Sequence, residues 1–147
     1  MSTTLSPLEG ALRVGGGVLV HGPGAPVAKI IKLVQEQRGA GEPIDVRDAA
    51  QAPAERELRK LVGERVGDRS AVIWLLGSDF PDQARAVISE LLDGQLNVAP
   101  GDVRKLDPEL SVVALSPDAQ PADEVRALFT LQLVADAALG PAAKKGA

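Results

Sequence analysis

The feature that most constrains this chain is a junction. A short apolar, β-branched run, Gly17-Val18-Leu19-Val20-His21, enters Gly22-Pro23-Gly24, and after Pro26 the apolar residues Val27, Ile30, Ile31 and Val34 recur at steps of three and four. The run predicts a buried strand, Gly-Pro-Gly a tight turn, and the spacing one face of a helix that carries Lys29, Lys32, Gln35 and Glu36 elsewhere and closes at Gly39 and Gly41. A strand feeding a glycine-rich turn that opens a helix has the layout of an anion or nucleotide site. Backbone N–H groups and the positive end of the helix converge there.

The same alternation continues. Pro43 to Val46 reads as a second strand and Asp48 begins the polar connection after it. Pro53 opens a charged amphipathic helix, Ala54 to Val66, with Leu58, Leu61 and Val62 inward, and Gly67-Asp68 ends it. Ala71-Val72-Ile73-Trp74-Leu75-Leu76 lacks alternation, as a central strand covered on both faces requires. Asp79-Phe80-Pro81-Asp82 starts a helix through Ala84, Val87, Ile88, Leu91 and Leu92 to Gly94, and a loop through Pro100-Gly101 follows. Leu110 to Leu115 is a fourth strand, and Pro121 opens a helix whose core residues are Val125, Leu128 and Phe129. Leu131 to Ala135 reads either as the continuation of that helix or as a fifth strand.

Strands alternating with helices of this length imply parallel pairing through right-handed crossovers. The expected fold is α/β, a three-layer αβα sandwich on a mainly parallel four- or five-stranded sheet. We expect one domain over residues 16–138, preceded by a loose arm, 1–15, with a short helical turn near Leu8 to Leu12, and followed by a flexible tail, 139–147.

Composition limits the partners. The 147 residues include two Phe, one Trp, no Tyr and no Cys, and the formal net charge is -4. An aliphatic core suits helices on a parallel sheet and offers no stacking platform for nucleic acid; interspersed charges of both signs offer no patch for nucleic acid or anionic lipid. Without Cys, thiolate metal sites and thiol nucleophiles are excluded, and the single His, His21, excludes an all-imidazole site. No apolar run reaches membrane-spanning length and Met1 to Pro7 has no signal-peptide pattern, so cytoplasmic residence is expected. Lys144-Lys145 reads as a solubilising tail.

The candidate nucleotide loop is Gly22, Pro23 and Gly24, with Lys29 beyond it. A working phosphate loop, G-x-x-x-x-G-K-[ST], needs a lysine for the terminal phosphates and a hydroxyl for magnesium. After Gly22 those positions hold Val27, Ala28 and Lys29, so the second glycine and the hydroxyl are missing. The lysine is one position late, a rotation of about 100° on a helix. Pro23 and Pro26 each remove a further backbone donor. Among other polar residues, Asp79 and Asp82 suit helix capping or a metal, Asp45, Arg47 and Asp48 a solvated ion-pair cluster, and His21 a structural role or a ligand contact. Trp74 suits the core, or an interface if its sheet face is uncovered.

Beyond the loop, Val18-Leu19-Val20-His21-Gly22 resembles the first strand of the AAA+ core in sigma-54-dependent, NtrC-type enhancer-binding activators, and the likeness runs over residues 17–134. Ile44-Asp45-Val46-Arg47-Asp48-Ala49-Ala50 is similar to the family's segment ending near Asn-Cys-Ala-Ala. Val72 to Pro81, with Val87 to Gly94, resembles its Walker B strand and the helix after it. Leu110 to Asp118 looks like its sensor strand, and Glu124 to Val134 like the segment bearing its arginine fingers. The resemblance implies a P-loop NTPase-like (AAA+ core) topology with the chemistry removed. Its Walker B carboxylates fall on Leu75 and Leu76 and its sensor asparagine on Pro117. Arg126 lies beside the finger position, Leu131 replaces the second arginine, and the sigma-contacting loop motif and lid subdomain are absent. Phosphoryl transfer depends on positioning and electrostatic stabilisation by these groups. The expectation is therefore a non-enzymatic, pseudo-ATPase module without cofactor or metal. It would act by self-association or by docking on a protein partner in bacterial signalling or transcription control, with Arg126 as a candidate interface residue. The alternative is a sensor that binds a small ligand or nucleotide without hydrolysis.

Overall fold

The computed structural model describes residues 7–22, 27–48, 54–66, 71–77, 81–106, 109–118, 120–121, 123–129 and 131–134. Their elements are, in chain order, α1 (Pro7–Val14), β1 (Gly16–His21), α2 (Val27–Arg38), β2 (Ile44–Val46), α3 (Glu55–Val66), β3 (Ala71–Leu76), α4 (Asp82–Asp93), β4 (Gln95–Ala99), β5 (Asp102–Lys105), β6 (Ser111–Ser116), α5 (Asp123–Leu128) and β7 (Leu131–Val134). Five strands pair in parallel in the order β2-β3-β6-β1-β7, and β4 and β5 form a separate antiparallel hairpin.

Every residue of β3 and β6 is buried, because both faces of the sheet are covered. Neighbouring residues of each strand point to opposite cores. Leu19, Val72, Trp74, Val112 and Ala114 pack with Leu58 and Val62 of α3, Val87 and Leu91 of α4 and Val125 of α5. Val18, Val20, Ile73, Val113 and Leu115 pack with Leu8 and Leu12 of α1 and Ile30 and Val34 of α2. The result is a three-layer arrangement in which β6 is the middle strand and β3 its interior neighbour. Trp74 is wholly buried, which settles it as core.

Three segments differ from, or decide between, the expectations. The N-terminal arm contains a docked helix: Leu8 and Leu12, four apart on α1, are both buried against α2 and the sheet. Gly15 and Gly16, at φ 85° and 87°, then turn the chain into β1, and the Gly16 N–H donates to the Leu110 carbonyl at 2.9 Å. The expected loop through Pro100-Gly101 is the turn of the β4-β5 hairpin, whose Leu96 and Val98 alternate inward. Leu131 to Val134 takes the strand alternative and pairs with Val18 to His21 of β1, giving five strands in the sheet. The tail 139–147 lies outside the described residues.

Candidate functional site

In a parallel sheet, a crevice opens at the C-terminal ends of adjacent strands whose following helices lie on opposite faces. β1 and β6 are such a pair, since Ile30 of α2 packs on one face and Val125 of α5 on the other. A cleft of about 200 Å³ lies at this position, lined by Gly22, Val27, Arg47, Leu75, Leu76, Leu115, Ser116 and Pro117. Gly22, Leu75, Leu76 and Pro117, which lie on three separate segments of the sequence resemblance, therefore meet in one place.

The lining is mostly apolar. Leu75 and Leu76 are 9% and 1% exposed and belong to opposite cores, so each is held by packing. Gly22, at φ 137°, donates its N–H to the Ser116 carbonyl at 3.1 Å, extending the β1-β6 ladder instead of presenting the amide to an anion. The Ser116 hydroxyl accepts the Asp118 N–H at 3.3 Å. Val27 lines the cleft where a phosphate loop has its second glycine, and Lys29 is exposed on α2 and is not part of the lining. Pro23 and Gly24 lie outside the described residues.

The guanidinium at the rim belongs to Arg47, and it is engaged. Its Nε and Nη2 donate to the two carboxylate oxygens of Asp45 at 2.9 and 2.7 Å, and its backbone N–H donates to Asp45 Oδ1 at 3.0 Å. The hydrogen bonds from Arg47 hold the Asp45 carboxyl below the usual range, and those bonds raise Arg47 in turn. Behind this pair, Gly77 lies against the Arg47 carbonyl so closely that a Cβ would enter the backbone. That approach ties the end of β3 to the end of β2.

The other sequence candidates lie elsewhere. His21 is half-buried at the end of β1, in register with Ser116 and Val134. Asp82 does not cap α4: Pro81 occupies the cap without a side-chain bond, and Asp82 instead accepts from Arg85 at 3.0 Å in the first turn. Pro81 supplies no hydroxyl or carboxylate, which is why the cap is empty of side-chain oxygen. Asp79 lies outside the described residues. Arg126 is half-exposed on α5 with its guanidinium 3.8 Å from Asp123, away from the cleft lining. Among the described residues, no group of three or more His, Cys, Asp or Glu side chains is placed to hold a metal ion. No described helix is long and apolar enough to cross a membrane.

Sequence reasoning missed the strongest polar network. Glu90 of α4 accepts from both Nη atoms of Arg59 at 2.7 Å each, and from the backbone N–H and side-chain amide of Asn97 at 2.8 and 2.9 Å. Arg59 also donates to the Asn97 carbonyl at 2.9 Å. These bonds, the pair with Arg59 foremost, pull the Glu90 carboxyl down to about 2. The network joins α3, α4 and β4, and its partners are 31 and 38 residues apart from Arg59 in the chain, so no local spacing announces it. Compared with models of protein families and with curated protein sequences, the chain matches none.

Proposed function

We propose that this chain is a catalytically inactive AAA+-like module that works by binding protein, through self-association or docking on a partner, in bacterial signalling or transcription control. The observation carrying this reading is the convergence of Gly22, Leu75, Leu76 and Pro117 on one cleft. These positions, matched by resemblance to four separate parts of a phosphoryl-transfer site, occupy one crevice but bring it no lysine, magnesium ligand or sensor amide. Further support comes from β6. The strand matched to the sensor strand lies between β1 and β3, the strands matched to the nucleotide loop and Walker B, so its end adjoins both. An active site could be served by that arrangement only if polar groups occupied the strand ends, and buried leucines occupy them instead.

Light scattering coupled to size-exclusion chromatography at micromolar concentration tests self-association, and calorimetric titration with ATP, ADP, GTP and cyclic dinucleotides tests the competing sensor reading. An oligomer with no nucleotide heat supports the module. A strict monomer that binds a nucleotide replaces it with the sensor, and release of phosphate from ATP overturns the inactive assignment.

A further inference from the structure

A second concavity, of about 640 Å³, lies between α3 and the tip of the β4-β5 hairpin, far larger than the cleft at the strand ends. Its apolar side is Val98, Ala99, Pro100 and Gly101, and its helical side carries Arg56 and Lys60. Those two residues are four apart on α3 and so share one side of the helix. Both are exposed, and among the described residues no carboxylate lies within ion-pair distance of either.

The other charges on this groove are already matched. Arg59 is bound by Glu90 and also lies 3.4 Å from Glu55, so its charge is fully matched and the three together leave one negative charge. Asn97 has its N–H, carbonyl and side-chain amide engaged, which leaves no free main-chain ladder there for strand addition. What remains is an apolar floor with Arg56 and Lys60 on its rim, outside any ion pair among the described residues and leaving the groove positive by one charge against the surplus carboxylate, on a chain whose overall charge is -4. We propose that this groove docks an acidic segment of a protein partner, with apolar side chains against Val98 and Pro100 and carboxylates at Arg56 and Lys60. This rests on reading the domain as a protein-binding module. Nucleic acid suits the groove less well, because among the described residues its lining offers no aromatic ring for a base to stack on and too few cations to follow a phosphate backbone.

The test is fluorescence anisotropy of the full chain with a short labelled peptide of alternating Glu and Leu, using a peptide of alternating Lys and Leu and an oligothymidine strand as comparison probes. The acidic peptide is expected to bind, to weaken as salt is raised, and to lose about tenfold in affinity in the Arg56→Glu/Lys60→Glu variant. The variant Arg13→Glu/Lys29→Glu, with the same change in net charge outside the groove, is expected to stay within about twofold of the parent. Equal losses in both variants, tighter binding of the basic peptide or of the DNA, or no binding of the acidic peptide would each overturn the proposal. Light scattering on the same samples judges self-association separately, so a groove that fails and a module that fails give different results.

Discussion

Replacing Glu90 with Gln removes one negative charge from the clip that holds the hairpin while keeping an oxygen to accept the Asn97 N–H. The carboxyl is depressed from its ordinary 4.5 to about 2, chiefly by its hydrogen bonds with Arg59. Taken whole, such a depression corresponds to a ceiling of about 3 kcal/mol. Water screens part of it, because the Glu90 and Arg59 side chains are 22% and 14% exposed, and we expect E90Q to lose about 1.5 kcal/mol at neutral pH. The sign follows from a folded-state pKa that lies below the unfolded one. The stabilisation is complete above 4.5 and disappears as the pH falls toward 2, so parent and variant converge in acid. Urea denaturation of both proteins at pH 7 and at about pH 3 measures this difference directly. Other carboxylates titrate over the same range but cancel in the comparison. A gap below about 0.3 kcal/mol at neutral pH, or one of equal size at both pH values, would refute the assignment of Glu90 as the charged centre of the clip.

Three further substitutions bear on the fold and the cleft. Gly77→Ala places a methyl group against the Arg47 backbone carbonyl, and urea denaturation is expected to show a loss of about 2–3 kcal/mol; an unchanged midpoint would mean that the β2 and β3 ends separate freely. Leu12→Ala is expected to cost about 2–4 kcal/mol in the same assay, because Leu12 is 1% exposed, whereas a loose arm would register almost nothing. Leu76→Glu, which places a carboxylate where the resemblance to a Walker B strand would have one, is expected to destabilise by more than about 3 kcal/mol without producing ATP turnover, as read by urea denaturation and phosphate release. Turnover in that variant would show that the remaining groups of the cleft can support phosphoryl transfer.

How far the fold was legible depended on whether local pattern and tertiary burial agreed. β3 was plain because six successive apolar residues have no solvent-facing member in a strand buried on both faces. The helix of α2 followed from its spacing for the same reason. The hairpin was missed although Leu96 and Val98 alternate with Gln95 and Asn97. That signal is short, and the Glu90-Arg59-Asn97 bonds that stabilise it come from distant parts of the chain. Residues 1–15 read as a loose arm with a short helical turn near Leu8 to Leu12; the helix runs over Pro7–Val14 and is docked, because burial of Leu8 and Leu12 outweighs the poor helix propensity of Gly10. β7 was ambiguous on its face. Leu-Gln-Leu-Val fits either period, and only the open edge of β1 decides for a strand. The groove beside α3 escaped notice because Arg56 and Lys60 look like any solvated helical charges until the hairpin is placed opposite them.

The strand ends at this cleft are mostly apolar. Where both faces of a sheet are covered, the C-terminal ends of the strands are the places at which polar groups can meet a ligand without first being buried in a core. Here β3 ends in Leu75 and Leu76, which contribute to the cores above and below the sheet, and β6 runs into Pro117, which has no N–H to offer. Gly22 retains its amide but donates it to β6. Leu75 and Leu76 are thus engaged by packing and Gly22 by the β1-β6 ladder, so the strand ends contribute to stability. The unmatched charge that remains lies on the outer surface of α3, facing the hairpin, and there recognition by a partner is compatible with an undisturbed core.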